Sequence, residues 1–315
     1  MLEELAKKLA GIVRSPFPKV EDKVVIVMAG DHGVVAEGVS AFPQEVTPQM
    51  VYNFIRGGAG INVLARHAGA RVVVADIGVA AEIDHPLLVK CKVRPGTANI
   101  ARGPAMSREE AVRALEAGIE VVSREIERGA DLVATGDMGI GNTTPSSAIL
   151  AAFTGLPLDD IVGRGTGIDD ERLRSKKEAI TRALETNRPD PADALDVLAK
   201  VGGLEIGGLA GVILGAAARR TPVVIDGFIS GAAALVAARL VPRAVDFMIA
   251  SHVSEEPGHR HILRLLGLHP MLHLKMRLGE GTGAALAFHL VEAATKILAE
   301  MATFAGAGVS EALER

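Results

Sequence analysis

Five near-continuous apolar runs, each stopping at glycine or a polar residue, constrain this chain more than any other feature. They read VVIVMAG (24–30), RVVVADIG (71–78), DLVATGDMG (131–139), TPVVIDG (221–227) and AVDFMIAS (244–251). Val- and Ile-rich runs without alternation are what strands buried on both faces look like, and such strands build parallel sheets. Helical patterns lie between them. From Ser107 the chain reads SREEAVRALEAGIEVVSREIERG. Ser107 and Glu110 form a capping box, and Val112, Leu115, Ile119, Val122 and Ile126 make one apolar stripe. Asp169 to Asn187 is a charged helix, and the stretches 207–219 and 232–240 are apolar and Ala-rich. Strand–helix alternation predicts an α/β fold with a doubly wound, mostly parallel sheet and flanking helices. Ligands then bind beyond the carboxyl ends of the strands. Leu2 to Val13 reads as an amphipathic helix, and residues from about 261 to 314 follow no strand pattern. This predicts a large nucleotide-binding domain over 21–260 and a small helical domain made from 1–20 with 261–315.

Composition narrows the function classes. With 49% hydrophobic residues in 315, a sizeable core can be buried. Net charge is -4, aromatics are 3% and Trp is absent, which argues against a nucleic-acid partner. The single cysteine, Cys91, excludes an internal disulfide and a Cys-based zinc site, and suits a reducing cytoplasm. The N-terminus carries Glu3 and Glu4 and lacks the apolar core of a signal peptide. The apolar stretch 284–301 is broken by Glu292, Lys296 and Glu300, so no membrane span is predicted.

The strand ends carry the chemistry. The first run leads into Asp31-His32-Gly33, the third into GDMGIGNTTP (136–145), the fourth into Asp226-Gly227 and the fifth into Ser251-His252. In GDMGIGNTTP the glycines free backbone N–H groups, and Thr143 or Thr144 can cap the following helix with Pro145 at its first position. A glycine loop before a helix N-terminus favours a phosphate, although alone it is equally a tight turn. A second loop, GRGTG (163–167), precedes a helix presenting Lys176 and Lys177. Lysine is a frequent phosphate partner, and a solvated helix face is the ordinary alternative. There is no P-loop, no GxSxG elbow and no paired-acid strand end of the kind that binds phosphoribosyl pyrophosphate. His259 and His261, on a predicted loop, have too little support for a metal site. His32 and Asp31 are adjacent, and neighbours on a regular element do not face each other. Near the C-terminus, RLGEGTGAA (277–285) sets Glu280 between glycines. Such an acid is either a solvated loop residue or a side chain aimed into a pocket that the glycines open.

DHGVVAEGVSAFPQEVT (31–47), GGAGINVLARHAGA (57–70), RPGTANIARGPAMS (94–107), GDMGIGNTTPSSA (136–148), GRGTGIDD (163–170), SHVSEEPGH (251–259) and RLGEGTGAALA (277–287) follow one another in this order. Together they resemble the nicotinate-nucleotide–dimethylbenzimidazole phosphoribosyltransferase family over nearly the whole chain. The resemblance implies transfer of ribose 5-phosphate from nicotinate mononucleotide to 5,6-dimethylbenzimidazole, in a homodimer, with no metal and no cofactor. It implies Glu280 as the base that takes the benzimidazole proton. Met276, Leu278, Phe42 and Met50 are implied for the base slot. Gly139, Gly165 and Lys176 are implied on the donor phosphate, and Asp226, Gly227 and Ser254 on ribose or nicotinate. Asp137 stands where many members carry Glu in a GEMGIGNTT sequence, and is implied as a second, shorter catalytic carboxylate. Other readings are the same donor with another flat acceptor (adenine, another benzimidazole or a phenol), and a noncatalytic nucleotide sensor.

Overall fold

In the computed structural model, which describes residues 1–310, helices α1 (Leu2–Val13), α2 (Val46–Arg56), α3 (Gly60–His67), α4 (Arg108–Glu127), α5 (Thr143–Thr154), α6 (Leu158–Ile161) and α7 (Asp170–Asn187) are followed by α8 (Ala194–Val201), α9 (Leu204–Ala218), α10 (Phe228–Leu240), α11 (Pro257–Leu266), α12 (Thr282–Glu300) and α13 (Phe304–Ala307). The strands are β1 (Lys23–Gly30), β2 (Ala70–Gly78), β3 (Leu88–Lys90), β4 (Leu132–Met138), β5 (Val223–Ile225), β6 (Met248–Ala250), β7 (His252–Ser254) and β8 (Leu272–Met276). The first six form one sheet in the order β3-β2-β1-β4-β5-β6, every pairing parallel. Strand order therefore reverses between β1 and β4, and a crevice opens at such a switch point.

All eight residues of β1 are buried. Val24, Ile26 and Met28 enter one core with α4, α5, α8, α9 and α10, while Val25, Val27 and Ala29 enter another with α1, α2, α3 and α12. One strand thus serves two helical layers, which is why its sequence does not alternate. Helices α1 and α12 pack together, so these two helices lie on one side of the sheet.

Three local expectations need correction. The C-terminal stretch is not free of strands: β8 pairs in parallel with β7. The capping box on Ser107 and Glu110 is present, but the buried side of α4 is Ala111, Ala114, Gly118, Val121 and Val122 with Glu125. Val112 and Ile119 of the anticipated stripe are more than one-third exposed. The cause is α9. A Cβ on Gly118 would stand 1.9 Å from the Gly208 carbonyl, and one on Gly211 2.0 Å from that of Leu115. The backbones touch, so small residues rather than large ones select the face. Finally, neither Thr143 nor Thr144 caps α5: the N-cap is Asn142, it makes no side-chain cap, and Pro145 is the third residue of the helix. No helix among the described residues is long and apolar enough to cross a membrane.

Candidate active site

A cavity of about 660 Å³ opens at the carboxyl ends of β4, β5 and β6. This is within the usual range for small-molecule sites. Its lining combines the glycine-rich backbone of Asp137 to Thr143 with Gly165 and Thr166, and the apolar side chains of Phe42, Val46, Met50 and Leu278; the two sets meet where the Ala41 N–H donates to Thr166 Oγ1 and the Ile140 N–H to Thr47 Oγ1, each at 3.2 Å. Gly227, His252, Ser254 and Glu256 lie along its wall, and Glu280 also reaches it.

The loop side offers an anion only part of a helix N-terminus. The start of α5 carries no side-chain cap, but the Thr144 N–H donates to the Gly141 carbonyl at 3.0 Å and Pro145 has no N–H, so of the first-turn donors only the Thr143 N–H is left without a backbone partner among the described residues, behind the glycine loop. Lys176 stands behind this loop, fully buried, and does not line the cavity. Its Nζ donates to Thr143 Oγ1 (2.8 Å) and to the Gly163 carbonyl (2.9 Å), tying the two glycine loops together. Burial brings its pKa down to about 8, against the opposing pull of Glu256. Glu256 in turn accepts the Gly165 N–H at 2.8 Å, and its other oxygen has no partner among the described residues.

Glu280 is nearly buried, 6% exposed. Its Oε2 accepts the Ile61 N–H at 3.0 Å, at the N-terminus of α3. Burial lifts its pKa above the usual Glu range; the Ile61 hydrogen bond opposes this and Asp226 adds to it. A carboxylate so placed is a competent general base. Its backbone is left-handed (φ +64°), between Gly279 (+80°) and Gly281 (+92°). The flanking glycines adopt this region freely, whereas Glu280 does so under strain.

Asp137 is 5% exposed, with Oδ2 accepting from Asn142 Nδ2 at 3.0 Å and Oδ1 unpartnered among the described residues. Burial, then the carboxylates of Asp226 and Glu205, push its pKa well above the ordinary Asp value. Behind the same loop His32 and Glu205 form a buried pair at 2.7 Å. Burial disfavours charge on His32, but Glu205 outweighs it and raises the His32 pKa.

The structure therefore brings Phe42, Met50, Asp137, Gly139, Gly165, Gly227, Ser254, Leu278 and Glu280 to one cavity. Lys176, Asp226 and Met276 are not on its wall. Asp226 is buried beneath the Glu280 loop, and Met276 ends β8. His259 is in the first turn of α11 rather than a loop, where its Nδ1 accepts the Ser254 N–H at 2.9 Å. His261 follows two residues on in the same helix, so the two side chains point apart. Sequence reasoning missed Glu256, Asn142, His252 and the His32–Glu205 pair. Asn142 and His252 stood inside quoted strand ends and could have been singled out there. Glu256 and Glu205 look in sequence like ordinary surface acids.

Comparison with known proteins agrees with this geometry. The profile of the family described as Phosphoribosyltransferase matches residues 1–309. A protein of Desulforamulus reducens named nicotinate-nucleotide–dimethylbenzimidazole phosphoribosyltransferase is 64% identical over 99% of this chain and 89% of its own length. One of the same name from Chloroflexus aggregans is 62% identical, also over 99% and 89%. The crystal structure of CobT from Thermus thermophilus superposes with a TM-score of 0.95 at 54% identity, covering 99% of this chain and 93% of that one. Sequence and fold agree over almost the full length, and the chain belongs to the nicotinate-nucleotide–dimethylbenzimidazole phosphoribosyltransferase family.

Proposed function

We propose that this enzyme transfers ribose 5-phosphate from nicotinate mononucleotide to 5,6-dimethylbenzimidazole. The observation that carries the reading is the position of Glu280: a desolvated carboxylate reaching a cavity that is also lined by the glycine loop leading into α5. The donor phosphate sits against Gly139 to Thr143 and Gly165, with Lys176 holding both loops from behind. Gly227 and Ser254 flank the ribose and nicotinate. The flat acceptor enters beside Phe42, Met50 and Leu278.

One benzimidazole nitrogen attacks C1′ from the face opposite nicotinate. The C1′–N bond breaks and its electron pair stays on the nicotinate ring nitrogen, which leaves neutral. Glu280 takes the proton from the other benzimidazole nitrogen. Asp137 lies near the reacting sugar, where its ionisation offsets positive charge developing on the ribose. The products are nicotinate and α-ribazole 5′-phosphate.

The working form is a homodimer in the cytoplasm. Leu265 and Leu274, each at least half exposed on α11 and β8, offer apolar surface that a second copy can cover. Sedimentation at micromolar concentration tests this, and a monomer contradicts it. Cys91 is half-buried, its thiol pushed up to about 12 by burial, so it stays unreactive. The reaction is tested by mixing purified protein with donor and a panel of flat acceptors and separating products by chromatography. Nicotinate and the α-nucleotide should form in equal amounts, fastest with dimethylbenzimidazole. Donor binding without product from any acceptor would leave a sensor as the better reading.

A further inference from the structure

Glu280 is the strained member of a run of three left-handed residues, so something must hold its backbone in place. The helix that follows cannot do so with its own cap, because the N-cap is Gly281, which has no side chain. The cap comes from another element. Asp226, just past β5, accepts the Gly281 N–H on Oδ2 at 3.3 Å and the Ala284 N–H on Oδ1 at 3.0 Å. It is 1% exposed and absent from the cavity wall. Its own N–H is directed to Thr135 Oγ1 on β4 at 3.2 Å, which anchors it to the sheet. On the other side, the Ile61 N–H holds the Glu280 carboxylate at 3.0 Å. A Cβ on Gly136 would lie 2.4 Å from the Glu280 carbonyl, so that peptide rests directly on β4.

We propose that Asp226 is a positioning residue: it fixes the backbone of the catalytic loop so that the Glu280 carboxylate meets the acceptor N–H, and it does not touch the donor. This deepens, and rests on, the reaction proposed above. Both Asp226 oxygens accept from the segment that carries the base, Oδ2 from the loop at Gly281 and Oδ1 from the start of α12 at Ala284; Oδ1 also lies 3.9 Å from His252 Nδ1, and Asp226 itself stays off the cavity wall. Without these two acceptors the left-handed Glu280 backbone keeps its packing on β4 but loses its hydrogen-bonded tie to the sheet, and a displacement of about 1 Å at a reacting group costs on the order of 10²-fold in rate.

The test is Asp226→Asn, near-isosteric but without the charge, with Asp226→Glu as a second variant that keeps the carboxylate should the first fail to fold. For both, kcat should fall, on the order of 10²-fold with Asn and less with Glu, while donor Kd by calorimetry stays within about twofold. The loss should shrink across a series of benzimidazoles as their N–H becomes more acidic, because a misplaced base matters less when the proton leaves easily. Adding Asp226→Asn to Glu280→Gln should lower kcat no further. A raised donor Kd, or a rate loss equal for every acceptor and additive with Glu280→Gln, would overturn the assignment and place Asp226 on the donor. Wild-type turnover of the same acceptors separates this failure from a failure of the proposed reaction.

Discussion

Gly165 and Phe42 line the same cavity but are held in opposite ways. Gly165 is pinned through its N–H by buried Glu256 and backed by Lys176, whose Nζ also grips Thr143 and Gly163. Phe42 is 50% exposed and Leu278, also on the lining, 62% exposed. The loop side is fixed by buried polar bonds, each costly to break. The apolar side chains are the more exposed part of the lining, and apolar slots discriminate weakly. The difference teaches that, on the proposed reaction, donor recognition rests on braced backbone and acceptor recognition on a few exposed side chains.

The largest effect should come from the proposed base. Glu280→Gln is expected to lower kcat by about 10³-fold, read from steady-state product formation. Next is the braced loop side. Lys176→Ala removes a buried cation from Thr143 and Gly163, and should raise the donor KM by roughly tenfold or more with a smaller change in kcat. An unchanged KM would reduce Lys176 to a structural contact. Among the exposed side chains, Phe42→Ala should change the preference among flat acceptors by about tenfold and leave the donor KM alone. Equal loss for every acceptor would erase the contrast between the two parts of the lining.

The smallest effect is on stability. Asp137 has its pKa raised in the folded state, so between the unfolded value and the higher folded value the native protein binds more protons than the unfolded one. Stability from this group is therefore present at low pH and lost as pH rises through that window. Asp137→Asn removes the penalty, and at about pH 7 should stabilise by about 1 kcal/mol, a Tm rise on the order of 2 °C, while slowing turnover. A Tm scan against pH checks it: the variant's advantage should vanish toward about pH 4, near the ordinary Asp value.

Much of this was legible in the chain. Strands buried on both faces cannot alternate, so β1 and β4 stood out as apolar runs, and the polar end of β4 marked the site. What stayed hidden depends on partners far away in sequence. The buried side of α4 is set by glycines of α9 about 90 residues on, and large side chains gave the wrong stripe. β8 is short and largely exposed, with little apolar pattern to announce it. Lys176 read as a direct phosphate ligand because sequence gives proximity to a loop, not depth behind it. Glu256 became visible as a brace only once α11 was packed beside the 163–167 loop.

The most direct measurement is donor binding to Glu280→Gln by calorimetry, alongside its single-turnover rate with dimethylbenzimidazole. If a braced donor loop and a separate base share the cavity, nicotinate mononucleotide should bind the variant within about twofold of the wild type while product formation nearly stops. Loss of donor affinity together with turnover, or turnover close to wild type, would contradict that division of labour.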